Sequence, residues 1–233
     1  MDKLTQLNRK IISCCKCPRL VEWREKIAIE KTARFHNETY WGKPVPGFGD
    51  PMAKVLIVGL APAAHGANRT GRMFTGDRSG EWLYSMLHKF EFSSERVSSS
   101  ADDNLRLKNC YITAVVRCAP PANKPAKDEI HNCQPYLSSE LQILEGVEVI
   151  VTLGKIAFDW TIDSLSQLHF FGGRTWKENF ERRPKFAHGV KLQIDEKLTL
   201  IASYHPSQQN TFTGKLTKRM FESVFKDVKE LLG

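Results

Sequence analysis

The sequence has no apolar stretch long enough to cross a bilayer. Its longest runs, such as Val55–Ala63, fall well short of the ~20 residues a spanning helix needs. There is no apolar leader: Met1–Lys10 is amphipathic and polar, so a cytoplasmic protein is expected. Repeats and low-complexity segments are missing, which excludes disordered, collagen-like and coiled-coil chains. Neither G-x-G-x-x-G nor a GK[ST] element occurs, and Gly214-Lys215 runs into Leu216, so dinucleotide and P-loop readings fail. Acidic residues are the minority, 26 against 34 Lys and Arg, for a net charge of +8. That balance favours a polyanionic partner, nucleic acid among them. Cysteine is scarce, at six. Without an export signal these thiols read as metal ligands, catalytic groups or buried small residues rather than disulfides.

What is present is ordinary for a globular chain: 233 residues, 41% hydrophobic and 26% charged. A single domain over residues 1–233 is expected, burying about 70% of the surface of the unfolded chain. Four apolar runs read as strands: Val55–Leu60, Tyr111–Val116, Val147–Leu153 and Leu198–Tyr204. Unbroken apolar strands imply a sheet covered on both faces. Helical spacing of apolar residues marks Glu81–Phe90, Asp128–Leu144, Lys155–Ile162 and a C-terminal helix from about Leu216. Alternating strands and helices predict an α/β fold, a three-layer α/β/α sandwich around a central four-stranded parallel sheet. Ligands bind such sheets beyond the carboxyl ends of the strands. The loops 61–77, 117–125 and 205–214 therefore become the places to look.

Cys14 and Cys17 form a C-x2-C pair, and Cys118 and Cys133 a wider one. The two pairs could converge on one metal centre. A zinc ribbon prefers a second C-x2-C, absent here, whereas an iron–sulfur cluster needs four thiolates and tolerates wide spacing. Spacing alone leaves iron–sulfur, zinc and plain buried cysteines open. In the strand-end loops, His205 sits where the fourth strand ends and Pro206 fixes the chain, a suitable place for acid or electrostatic work. The loop after the first strand is rich in small residues, so its backbone amides can approach a ligand closely.

The ordered set of motifs resembles the uracil-DNA glycosylase superfamily. The set comprises Cys14/Cys17, Val58-Gly-Leu-Ala-Pro62, Thr70-Gly-Arg-Met-Phe-Thr-Gly76, Tyr111-Ile-Thr-Ala-Val-Val-Arg-Cys-Ala-Pro-Pro121 with Cys133, and His205-Pro-Ser207. Leu60 stands where family 4 carries an acid, and Ala114 where it carries a uracil-reading Asn, so the chain looks like family 5, the type B enzymes.

The resemblance implies a DNA repair hydrolase. It would flip uracil, and related damaged bases, out of DNA and cut the N-glycosidic bond. It implies a [4Fe-4S] cluster on Cys14, Cys17, Cys118 and Cys133. His205 would stabilise the departing base, and Asp77 would orient water or stabilise the sugar cation, with Asn68 a second candidate. Phe74 would stack on the base, Leu60, Ala61 and Ala114 would shape its pocket, and Asn123 would read its edge. Arg69, Arg72 and Lys124 would grip phosphates of single- or double-stranded DNA. Ser207, Gln208 and Asn210, in the segment up to Phe212, would meet the DNA. With Leu60 in place of an acid, the first motif lacks the usual water-activating group. The expected setting is a monomer near the prokaryotic nucleoid, away from membranes. The alternative is a metal-centred nucleic-acid-binding protein without catalysis.

Overall fold

The computed structural model describes residues 2–233. Two helices open the chain, α1 (Lys3–Ile12) and α2 (Pro18–Glu30), with Asp2 capping the first through Thr5 N at 2.8 Å. The elements then alternate: β1 (Phe48–Gly49), β2 (Val55–Gly59), α3 (Ala67–Thr70), α4 (Arg78–Lys89) and β3 (Cys110–Ala114). They continue with α5 (Lys127–Ile143), β4 (Val149–Leu153), α6 (Lys155–Gln167), α7 (Trp176–Asn179), β5 (Lys191–Gln193), β6 (Thr199–Ser203), α8 (Gln208–Phe212) and α9 (Lys218–Leu232).

The sheet order is β1-β3-β2-β4-β6-β5. The four inner strands are parallel, in register from Val55↔Cys110 and Val55↔Val149 to Leu153↔Ser203. These are the four expected strands. The two short edge strands are antiparallel, so the sheet is mixed and six-stranded rather than purely parallel. Edge residues such as Lys191 and Gln193 are exposed, so they carry no apolar run to betray them.

Alternation within the inner strands fills both faces. Leu56, Val58, Ile150 and Leu200 pack with Leu137, Phe158 and Ile162 of α5 and α6 on one side. Val55, Ile57, Val151 and Ile201 pack with Leu83, Phe221 and Phe225 of α4 and α9 on the other. Each fully buried Phe or Leu contributes roughly 1.5–3 kcal/mol relative to exposure. The carboxyl ends of all four parallel strands thus open on one edge of the molecule, where the loops 61–77, 117–125 and 205–214 gather. Among the described residues no helix is long and apolar enough to cross a membrane.

Candidate active site and cysteine centre

At that edge lies a cleft lined by Leu60, Ala61, Phe74, Asp77, Asn123, His205, Ser207 and Gln208. These residues come from three loops far apart in sequence, brought together because parallel strands deliver their ends side by side. His205 lies just past β6, after Tyr204. Burial pushes its pKa down to about 4, so the imidazole is neutral at physiological pH. Asn210 donates from Nδ2 to the His205 carbonyl at 2.9 Å, and Ser207 Oγ accepts from Asn210 N at 3.3 Å. Asn210 therefore lies behind the histidine and holds its turn. The rings of His205 and Phe74 stack with centroids 6.1 Å apart.

Asp77 caps α4, its Oδ1 accepting from Gly80 N at 2.9 Å. A Cβ at Gly66 would fall 2.3 Å from Asp77 Oδ2, so only glycine lets the loop close over this carboxylate. Burial raises the Asp77 pKa above the ordinary carboxylate value, against the backbone N–H groups that lower it. Phe74, Ala122 and Asn123 hold left-handed φ of +54°, +51° and +55°. Such backbone costs on the order of 1–3 kcal/mol per residue and gathers at functional sites. Here it turns Phe74 and Asn123 toward the cleft.

Several expected residues lie elsewhere. Ala114 is buried at the end of β3, beneath the cleft rather than in its lining. Asn68 is fully buried outside the cleft lining and donates from Nδ2 to the Arg24 carbonyl at 3.2 Å. Arg69 and Arg72 are 8% and 4% exposed. Arg69 pairs with Glu38, and Arg72 with Asp103 at 2.6 Å. Each guanidinium is thus buried against a carboxylate, Glu38 itself being 46% exposed, and this pairing speaks against the expected phosphate contacts. Lys124 is exposed beside Asn123, outside the cleft lining. The cleft also holds residues that sequence reasoning passed over: Arg34, Phe35, His65 and Arg78. His65 Nδ1 hydrogen-bonds the Tyr40 hydroxyl at 3.0 Å.

Cys14, Cys17, Cys118 and Cys133 line one small cavity with Leu20, Pro44, Arg117 and Tyr136. Cys17 precedes α2, Cys118 follows β3 and Cys133 lies on α5, so the cavity joins three elements. Burial pushes the Cys118 thiol up to about 12, the Cys133 thiol up to about 11, and that of Cys17 up as well. Two buried guanidiniums flank these sulfurs. Arg24 Nη1 lies 3.0 Å from Cys118 Sγ, and Arg117 reaches Glu140 through Nη2 while its Nε and Nη1 have no partner. Buried cations with open N–H groups are the surroundings an anionic group needs. Among the described residues no three His, Cys, Asp or Glu side chains converge tightly enough for a single metal ion. Cys15 is exposed and Cys110 is buried within β3, away from the cavity.

Comparison with known proteins agrees with this architecture. The model of the uracil DNA glycosylase superfamily matches residues 46–229. A type-5 uracil-DNA glycosylase of Mycobacterium leprae is 47% identical over 231 residues, covering 99% of this chain and 96% of the relative. One from Thermus thermophilus is 47% identical over 223 residues, covering 96% and 95%. A type-4 uracil-DNA glycosylase of Archaeoglobus fulgidus is 29% identical over 234 residues, covering 100% and 95%. A family match across most of the chain, with type-5 relatives well above the type-4 one in identity, leaves one placement: the chain belongs to the uracil-DNA glycosylase superfamily, among its type-5 members.

Proposed function

We propose that the protein removes uracil from DNA by hydrolysing its N-glycosidic bond, the first step of base excision repair. The observation that carries this is the half-buried His205 ring stacked against Phe74 in a strand-end cleft. The base must leave the duplex before its sugar bond can be reached. In the cleft it would stack on Phe74, with Asn123 at its edge and the Leu60–Ala64 backbone along its side. Breaking the bond leaves an anionic base and a cationic sugar. A neutral imidazole can donate a hydrogen bond to the base oxygen as charge develops there, already oriented by Asn210 through the His205 carbonyl. Asp77 is the carboxylate nearest this chemistry in the lining. It would orient water or stabilise the sugar cation with the oxygen its capping bond leaves over. The first motif offers only small and apolar side chains, Leu60, Ala61 and Ala63. Such a wall supports a permissive pocket that also takes hypoxanthine, hydroxymethyluracil or ethenocytosine.

Cys14, Cys17, Cys118 and Cys133 would hold a [4Fe-4S] cluster. The fit rests on the flanking guanidiniums of Arg24 and Arg117 and on thiols spread around a cavity rather than focused on one point, since each binds a different iron. Cys14, Cys17, Cys118 and Cys133 would let the cluster act as a brace rather than supply chemistry on the base, since they join the start of α2, the loop after β3 and α5. A monomer near the prokaryotic nucleoid is the setting this reading expects, and the relatives compared are bacterial and archaeal.

The test is incubation with a labelled duplex carrying one uracil, followed by alkali. Strand scission at the uracil position is expected, with free base released. Binding without release would support the alternative of a non-catalytic nucleic-acid-binding protein.

A further inference from the structure

The arginines around the cleft are of two kinds. Arg69 and Arg72 are buried against Glu38 and Asp103. A buried guanidinium already paired with a carboxylate has little free charge to exchange for the counterions of DNA. Arg34 and Arg78 also belong to the cleft, yet neither makes an ion pair among the described residues. Each is instead paired with an aromatic ring. The Arg34 guanidinium carbon lies 4.9 Å from the centroid of Phe35, and that of Arg78 lies 4.2 Å from the centroid of Phe212.

A ring face orients a guanidinium without cancelling its charge. Such a cation is held in place and remains electrically open. One further observation points outward: Phe212, the ring under Arg78, is left 67% exposed, while Arg78 Nε is buried and has no hydrogen-bond partner. Phe35 is braced from within the fold, because Arg69 also approaches its ring, at 4.0 Å. Arg69 thus acts on this rim through Phe35 rather than through a ligand.

We propose that Arg34–Phe35 and Arg78–Phe212 form the clamp that grips DNA phosphates next to the extruded nucleotide. Arg69 and Arg72 are supports of that clamp and of the cleft loop. The assignment rests on the glycosylase reading for the identity of the polyanion, but its test does not require catalysis.

The probe is a duplex with a single tetrahydrofuran abasic-site analogue, bound by the full chain at several salt concentrations. Each phosphate contact contributes about 0.9 to the slope of log affinity against log salt. Arg34→Gln and Arg78→Gln should each reduce the slope by about 0.9, a loss of roughly threefold in the salt sensitivity between 50 and 200 mM. Arg34→Lys and Arg78→Lys should keep the slope and bind more weakly, because charge survives and the stacking does not. Arg69→Gln should leave the slope unchanged and lower the thermal midpoint. Unchanged slopes in Arg34→Gln and Arg78→Gln overturn the clamp, even if the parent releases uracil. A fall in slope with Arg69→Gln at an unchanged midpoint overturns it equally. Conversely, a parent that releases no uracil while the two glutamine variants lose slope would remove the glycosylase reading and leave the clamp standing.

Discussion

The cysteine cavity and the cleft handle charge in opposite ways. The cavity surrounds four sulfurs with buried cations, Arg24 against Cys118 and Arg117 with open N–H groups. The cleft places no paired cation at its centre: a histidine kept neutral by burial, an aromatic ring and small residues line it. A site flanked by fixed positive charge suits a group that stays anionic. A site with a neutral, oriented donor suits charge that exists only for the moment of reaction, because a full cation there would also bind the ground state. The cleft adds backbone strain at Phe74, Ala122 and Asn123, which fixes geometry before a ligand arrives. One region is therefore built to hold and the other to respond.

The largest effect should come from the holding region. Cys118→Ser removes a ligand from the cavity and takes the sulfur away from the buried Arg24 guanidinium that lies against it. As-purified parent protein should be yellow-brown, with broad visible absorption from thiolate-to-iron charge transfer. The variant should lose that absorption together with its solubility, whereas Cys110→Ser, buried in β3 away from the cavity, should keep both. Colourless parent protein with stoichiometric zinc would erase the iron–sulfur half of the contrast.

Next in size is the responding region. Removing one preorganised donor typically costs on the order of 10²–10³ in rate. His205→Ala should therefore slow single-turnover uracil release by that much, with DNA affinity nearly unchanged. Equal losses in affinity and rate would mean that the histidine binds the substrate rather than its transition state.

The neutrality of His205 has its own signature. Its folded pKa of about 4 lies below the ordinary value of 6.5. Between those values the unfolded chain takes up a proton that the folded chain refuses, so stability falls as pH drops from 6.5 toward 4 and is untouched above. The effect is at most on the order of 3 kcal/mol. Asp77, whose pKa is raised, works in the opposite direction. Comparison with His205→Gln cancels that term. The stability advantage of the parent over the variant, from denaturant midpoints, should shrink across this window. An advantage constant from pH 7 to 4 would mean the imidazole is not held neutral.

Much of this contrast was legible in the sequence, and the physical reason differs by element. Val55–Leu60 and its three counterparts announced themselves because both faces of the sheet are covered, leaving no exposed position in the inner strands. The ordered cysteines and the His205-Pro206 turn were readable because their chemistry is carried by residue type and order. Helices α1 and α2 went unread, and so did β1 and β5, which are short and partly exposed at the sheet edges. Arg69 and Arg72 were misjudged for another reason. Their partners, Glu38 and Asp103, lie outside the motif that contains the arginines, and a motif does not reveal whether its charges face inward. Arg34 and Arg78 gave no signal at all, since what sets them apart is a ring beside them in space and the lack of a carboxylate.

The smallest expected effect isolates the aromatic part of the cleft. The Phe74 ring packs so closely on Gly59 that a Cβ there would fall 2.7 Å from its Cζ atom. The ring has rigid backbone behind it and the cleft in front, where His205 stacks beside it. A flipped base entering the cleft would meet that ring, and stacking of one base on one aromatic is worth ~1–3 kcal/mol. Phe74→Ala should therefore weaken binding of a duplex carrying a non-cleavable uracil nucleotide by roughly 10- to 100-fold. The same variant should bind an abasic-site duplex almost as the parent does, because no base is present to stack. Alanine keeps the left-handed φ that position 74 imposes, so Phe74→Gly serves as a second variant free of that strain. If both variants lose as much affinity for the abasic duplex as for the uracil duplex, Phe74 shapes the fold around the cleft rather than holding the base. The responding region would then consist of His205, Asp77 and the backbone alone.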